Sequence, residues 1–198
     1  PVTITTRGAL IERDIDILSG MAAQGLCSVG ISLTTLDRDL ARAMEPRAPT
    51  PERRLAMIRA LSGAGVPVRL MMGPIIPGLS DHEIESILQA GREAGAQTAW
   101  WSLLRLPLEV SALFQDWLAR HRPNHAAKVM RLIREMREGR DNDPDFHTRF
   151  RGTGPYADLL AQRVRKARAR LGYAGAERPL DCGLFRKPPR AGDQLSLW

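Results

Sequence analysis

The stretch Val66-Pro-Val-Arg-Leu-Met-Met72 runs into Gly73-Pro-Ile-Ile-Pro-Gly-Leu-Ser-Asp81, and that into Ile84, Ile87, Leu88 and Gly91. In order these are a short apolar strand, a long connection stiffened by two prolines and two glycines, and an amphipathic helix. The last four residues share one face at helical spacing. Ser80-Asp-His-Glu83 has the Ser-x-x-Glu spacing of a capping box, in which hydroxyl and carboxylate satisfy free amides at a helix start. A strand that ends where a helix begins is half of a βαβ unit, so further units are expected on either side.

Three more strand-like segments are legible, residues 2–6, 28–34 and 98–104. Each is short and mostly apolar on both faces, the pattern of parallel strands covered by helices on two sides. After the first, Ile11, Ile15, Leu18 and Ala22 recur at helical spacing and stop at Gly25, a typical C-cap residue. Ahead of the third strand, Thr50 stands as N-cap with Pro51 at the first helical position. Leu55, Ile58 and Leu61 follow on one face before Gly63 and Gly65. Beyond the fourth strand, Val110, Leu113, Phe114, Trp117 and Leu118 mark a helix ended by Pro123. Val129, Leu132, Ile133 and Met136 mark another, ended by Gly139. Residues 156–171 form a last helix with Leu159, Leu160, Val164, Ala167 and Leu171 inward. The expected fold class is α/β, a partial parallel (β/α) barrel of right-handed crossovers with a C-terminal helical extension. Four units make half of an eight-unit barrel or two-thirds of a six-stranded one. The expected division is barrel over 1–122, basic helical extension over 123–172 and flexible tail over 173–198. Since the chain opens inside a strand and not on Met, upstream sequence is expected to be missing.

The 198 residues, 43% hydrophobic and 26% charged, suit one globular domain. No apolar run reaches the ~18 residues that cross a bilayer, and no signal-peptide pattern opens the chain, so no membrane partner is expected. Cys27 and Cys182 stand alone, which excludes a disulfide framework and a self-contained zinc site and fits a reducing, cytoplasmic compartment. Cys27, in an apolar run, reads as a small buried hydrophobe. The net charge of +7 is uneven. Residues 1–125 hold 13 Lys+Arg against 13 Asp+Glu, and residues 126–198 hold 16 against 9. The imbalance points the C-terminal third at a polyanion such as DNA or another nucleic acid. Arg163, Arg165, Lys166, Arg168 and Arg170, on the outer side of the last helix, are the candidate contacts.

In parallel βα folds the working face lies where strands end and helices begin. That rule selects residues 5–9, 34–37, 73–80 and 105–109. Thr3, Thr5 and Arg7 alternate on the first strand, and Ser32 and Thr34 share a face on the second. Hydroxyls in a barrel mouth suit a ribose or a carboxylate. The plainer alternative makes Thr35 a helix cap and Ser32 a satisfied core residue. Arg7 and Arg105, each at a strand end, are placed for a carboxylate or phosphate. The 73–80 connection offers backbone amides and a helix start to a heterocycle or anion, or simply reverses the chain stiffly. No GxSxG, Walker A or HExxH motif occurs. His82, His121, His125 and His147 form no metal-ligand pair with a carboxylate, so no metal site is expected within the chain. A phosphate-binding barrel enzyme for small metabolites stays as an alternative.

Several stretches together resemble one family. They are Ile4-Thr-Thr-Arg-Gly8, Ile31-Ser-Leu-Thr-Thr-Leu-Asp37, Met44-Glu-Pro-Arg-Ala-Pro-Thr-Pro-Glu-Arg-Arg54, Pro74-Ile-Ile-Pro-Gly-Leu-Ser-Asp-His-Glu83 and Leu103-Leu-Arg-Leu-Pro107. Gly139-Arg-Asp-Asn-Asp-Pro144 and Arg151-Gly-Thr-Gly-Pro-Tyr156 extend the set. The chain resembles the bacterial radical S-adenosylmethionine (SAM) proteins related to spore photoproduct lyase. The resemblance implies the third to sixth strands of a six-stranded partial barrel. It also implies an enzyme in which a 4Fe–4S cluster cleaves SAM to a 5′-deoxyadenosyl radical, acting on nucleic-acid lesions. The family's CxxxCxxC cysteines are not in this chain, so the cluster ligands would lie outside it and the chain alone would be inactive. For SAM the resemblance implies Thr5, Arg7, Ser32, Thr34, Gly73, Ile75, Leu104 and Arg105. Ser32 and Thr34 would approach the ribose and methionyl group, Gly73 and Ile75 the adenine, and Leu104 and Arg105 the far side. Two features depart from the family pattern. Pro77 before Gly78 stretches the common Gly-x-Ile-x-Gly-x-x-Glu, and Arg7 stands where relatives often carry Lys.

The terminal Gln194-Leu-Ser-Leu-Trp198 resembles the short peptide by which repair proteins dock on the bacterial sliding clamp. Gln194, Leu195, Leu197 and Trp198 would be its contacts, two leucines and an aromatic seated in an apolar pocket. A terminus folded back onto the domain is the alternative. The runner-up function is accordingly a non-catalytic DNA-binding or clamp-tethered module.

Overall fold

A computed structural model describes residues 1–176, 178–184, 186 and 188. Strand β1 (Val2–Thr6) is followed by a 3₁₀ turn (Ala9–Asp14) and helix α1 (Ile15–Ala23). Strand β2 (Cys27–Ser32) leads to α2 (Arg38–Met44) and α3 (Pro51–Gly63). Strand β3 (Val68–Ile75) leads through a 3₁₀ turn (Asp81–Glu83) to α4 (Ile84–Glu93). Then come β4 (Thr98–Leu103), α5 (Val110–His121), α6 (Pro123–Glu135) and α7 (Gly154–Arg170). The strands form one parallel sheet in the order β1-β2-β3-β4, consistent with a partial β/α barrel, and the C-terminal part is helical.

Local chemistry accounts for most boundaries. Thr50 Oγ1 accepts the amide of Arg53 at 3.3 Å, with Pro51 just inside α3. Gly25 and Gly65 take positive φ where the chain leaves α1 and α3. Three expectations are revised. The first helix is split, because its opening residues wind as a 3₁₀ turn. The short α2 was not expected; Asp37 caps it by accepting from the amides of Asp39 and Leu40, so Thr35 is not its cap. And β3 runs past Met72 to Ile75, so the connection begins later than the glycine suggested.

The strands are not apolar on both faces. Register aligns Ile4, Val29 and Val68 in one row, and Ile31, Leu70 and Ala99 in the next. These rows face the helices. The alternate rows place Thr3 beside Ser28, Thr5 beside Gly30, Arg69 and Thr98, and Ser32 beside Met71 and Trp100. Small and polar residues therefore carry the other face, as period-two geometry requires once one face is committed to the core.

The main core lies between the apolar face and α1, α3, α4 and α7. Its fully buried residues include Ile31, Met57, Ile58, Leu70, Ile84 and Leu88, each worth about 1.5–3 kcal/mol in removed apolar surface. From α7, Ala157, Leu160, Val164 and Ala167 join this same core. Leu159, expected inward, is exposed. A second cluster sets Phe114, Leu118, Val129, Met130 and Ile133 of α5 and α6 against Leu40, Ile76, Leu79 and Leu106. The α5–α6 pair thus packs over the strand-end connections, not on the sheet. Past α7, Tyr173 is buried with its hydroxyl donating to the Leu88 carbonyl, and the Ala174 amide donates to the Gln97 carbonyl. Among the described residues no helix is long and apolar enough to cross a membrane.

Candidate cofactor-binding rim

The carboxyl ends of the four strands form a rim whose first half is organised by charge. Arg7, just beyond β1, pairs with Glu45, and Glu45 also pairs with Arg54. Arg54 is only 2% exposed. Its Nε donates to the Pro49 carbonyl at 2.9 Å and its Nη1 to the Ser32 carbonyl at 3.2 Å. One guanidinium thus ties the end of β2 to residues 45–49, and Arg7, with its side chain 56% exposed, is already engaged. Thr5 is exposed on the polar face. Ser32, the last residue of β2, and Thr34, just beyond it, are half-buried. Thr34 lines a cavity of about 40 Å³ with Thr35, Met44, Pro74 and Ser80, space for a water and not for a nucleoside.

The second half is built from β3 and β4. The Gly73–Pro74 peptide bond is cis. A Cβ at Gly73 would lie 2.6 Å from Ser102 Oγ and 3.2 Å from the Ser102 amide, so this glycine is needed for the approach of β4. Ile75 turns its side chain into the core, and its carbonyl accepts from the Leu104 amide at 2.9 Å. Only backbone is left there to face a ligand. Leu104 is half-buried, and its carbonyl accepts from Arg137. Arg105 lies over the Phe150 ring, 5.2 Å from its centroid, with a buried Nε that has no acceptor.

The capping box does not form. Ser80 Oγ accepts from the Ile76 amide, while Glu83 reaches away and accepts from the Thr35 hydroxyl and the Leu36 amide. The intervening 3₁₀ turn rotates both groups off the start of α4. On its flanks Asp81 accepts from the Tyr156 hydroxyl, and Glu85 accepts from Arg163 Nε at 2.9 Å and Nη2 at 2.5 Å. Burial, with the Asp81 contact added, pushes the Tyr156 phenol up to about 12. The Arg163 hydrogen bonds hold the Glu85 carboxyl below its usual range.

Of the candidate nucleic-acid contacts, Arg165, Lys166 and Arg170 are exposed on α7. Arg163 is engaged by Glu85, and Arg168 is half-buried. Gln194, Leu195, Leu197 and Trp198 lie outside the described residues. Sequence reasoning missed Arg54, Arg137, Arg149 and Arg151, all drawn into the structure by carbonyls, carboxylates or aromatic rings. Their signal was slight. Arg149 and Arg151 flank Phe150, and Arg54 and Arg137 sit within helical charge patterns, so none of the four announces burial.

This geometry agrees with what the sequence is similar to. Residues 1–90, covering β1 to β3 and most of α4, match the Radical SAM superfamily. The protein Rv2578c of Mycobacterium tuberculosis strain H37Rv is 32% identical over 186 residues, 90% of this chain and 49% of that protein. MJ0683 of Methanocaldococcus jannaschii is 26% identical over 122 residues, 62% of this chain and 44% of its own. ORF301 of Acidianus two-tailed virus is 38% identical over 74 residues, 37% and 24%. The chain spans about half the length of the mycobacterial relative.

The superfamily generally uses SAM and a 4Fe–4S cluster. Among the described residues no group of three His, Cys, Asp or Glu could hold a metal. Cys27 is buried with its thiol directed at the Leu18 carbonyl, its pKa raised by burial, and Cys182 is exposed and remote from it in sequence. These residues do not fit a cluster, whose ligands would come from elsewhere. For SAM the fit is better. The accessible hydroxyls of Thr5, Ser32 and Thr34 and the half-buried Arg105 side chain suit a polar ligand with a carboxylate.

Proposed function

We propose that this chain supplies one half of the SAM-binding rim of a radical SAM enzyme of the spore photoproduct lyase-related kind, whose substrate is a nucleic-acid lesion. The observation that carries the SAM reading is the polar sheet face ending at Ser32, Thr34, Gly73 and Arg105, on a stretch with radical SAM sequence. When bound, SAM and its cluster supply a 5′-deoxyadenosyl radical. The residues of this chain hold and orient. The Thr5, Ser32 and Thr34 hydroxyls meet polar edges of the ligand, backbone at Gly73 and Ile75 borders a flat ring, and Arg105 meets a carboxylate. Arg7 acts through its pair with Glu45, which fixes the lip of the rim. The compartment proposed is the cytoplasm, where thiols and cluster stay reduced.

The test is to produce this chain together with a segment carrying three cysteines at CxxxCxxC spacing, and to reconstitute iron and sulfide. Visible cluster absorbance and 5′-deoxyadenosine formation are expected, with Ser32→Ala and Arg105→Gln raising the SAM concentration needed. No 5′-deoxyadenosine from a cluster-loaded protein refutes the SAM reading. Turnover of SAM with no effect on any damaged oligonucleotide refutes the substrate alone.

Exposed Arg165, Lys166 and Arg170 favour a second reading, a non-catalytic DNA-binding or clamp-tethered module. DNA affinity falling steeply with salt supports it, and salt-insensitive or absent binding removes it. Deleting Gln194–Trp198 should abolish clamp binding, and unchanged clamp affinity rejects that part.

A further inference from the structure

The turn that leads into α7 carries Arg151 across the outer edge of β4. Its guanidinium lies 4.2 Å from the Trp101 ring centroid and 6.0 Å from that of Trp100. Stacking satisfies the face of a guanidinium and leaves its N–H edges to find acceptors. Here Nη1 is buried with none. Opposite stands Arg168 of α7, whose buried Nε also has none, although its Nη2 reaches the Ala174 carbonyl at 3.4 Å. Between them opens a cleft of about 540 Å³ lined by Trp101, Arg151, Asp158, Arg165, Arg168 and Tyr173. Among the described residues no carboxylate pairs with Arg151, Arg165 or Arg168; Asp158 lines the cleft but bonds none of them. Burial, with Arg168 adding to it, lowers the Arg151 pKa, so the two cations repel across the cleft.

Two half-buried guanidiniums lining one cleft, each with a buried N–H unmet, are costly unless an anion joins them. Arg165 lies three residues before Arg168 on the same side of α7, so a third cation stands at the mouth. A planar carboxylate is filled by one arginine fork. Arginine side chains from the β4 edge and from α7 line the same cleft, and together they match a group with oxygens on several sides. We infer that the cleft between β4 and α7 is a binding site for a phosphate-type oxyanion, held by Arg151 and Arg168 with Arg165 at its mouth. This site is separate from the rim and does not depend on the SAM reading. The phosphate can be a free phosphate or phosphate ester, or a backbone phosphate of a nucleic acid.

The chain should be titrated calorimetrically with inorganic phosphate and with a short single-stranded DNA oligonucleotide, tryptophan fluorescence being followed in parallel. Phosphate should bind and perturb the emission through Trp101. Arg151→Gln and Arg168→Gln should each weaken binding about tenfold or more. Arg59→Gln, at an exposed position on α3, should not. Circular dichroism and the urea midpoint show whether each variant is folded. Arg168→Gln, at the solvent side, keeps the test valid if Arg151→Gln is not. An oligonucleotide bound tightly and displaced by phosphate identifies the source as nucleic-acid backbone, and phosphate alone binding identifies a free ester or ion. Binding of neither probe, or binding that survives both substitutions together in a folded protein, overturns the assignment.

Discussion

Replacing Arg54 by Met should remove a larger share of stability than any exposed arginine can. Methionine retains much of the stem volume, so the cavity contribution stays small. What is lost is polar. The Pro49 and Ser32 carbonyls each lose a donor, and Glu45, whose side chain is 13% exposed, keeps only Arg7. The surviving pair has an arginine more than half exposed and resembles a surface ion pair, worth about 0–1 kcal/mol. Removing one partner of a buried pair costs about 3–5 kcal/mol, a large part of the 5–15 kcal/mol typical of a domain. With a urea slope of roughly 2–3 kcal/mol per molar, the midpoint should fall by about 1–2.5 M without a change in slope. Glu45→Gln and the double variant complete a cycle, in which coupling of about 1.5 kcal/mol or more is expected. A loss below about 1 kcal/mol, or no coupling between the two positions, would show that this guanidinium does not hold the rim together.

Gly73→Ala places a methyl against Ser102, and overpacking of this kind costs about 1–3 kcal/mol in chemical unfolding. Ser102→Ala in the same chain removes the closest contact but not the backbone ones, so it should rescue only in part; full stability of Gly73→Ala alone contradicts the close approach. Tyr156 is held neutral, its pKa raised from 10.0 to about 12. Its contribution is therefore complete below the unfolded value and is lost as pH rises through that window, by about 1–2 kcal/mol. Tyr156→Phe should flatten the alkaline fall in unfolding free energy. Equal slopes in the two proteins would refute the assignment, since the more deeply buried Tyr173 titrates alike in both.

The four βα units were legible because hydrophobic period and local caps agree, as at Thr50 and Pro51 or at Gly25. The order of the sheet followed from short right-handed connections. What escaped reading depended on tertiary context. The seven-residue α2 offers only Leu40 and Ala41 to the interior, too few to show a period. Ser80 and Glu83 have the spacing of a capping box, yet both find better partners outside the helix. The polar sheet face was visible in retrospect as Thr3, Thr5, Ser28, Gly30 and Ser32, but Met71 and Trp100 on the same rows hid the alternation. At the rim, period two reaches only Ser32, because β2 ends there and Thr34 stands beyond it. The burial of Arg54 and Arg151 was not legible, since an arginine's environment is set by partners far away in sequence.

Residues 81–85 carry three acids at alternate positions, and between them they grip two different structural parts. Asp81 and Glu85 hold α7 through Tyr156 and Arg163, while Glu83, between them, holds Thr35 and Leu36. This short stretch works as a rivet through two plates. A pull along α7 loads both outer acids together, and the stiff turn between them hands the force to the lip beyond β2. The C-terminal helix and the lip beyond β2 are therefore tied to the same five residues, a link made by side chains in addition to the packing of α7 in the core.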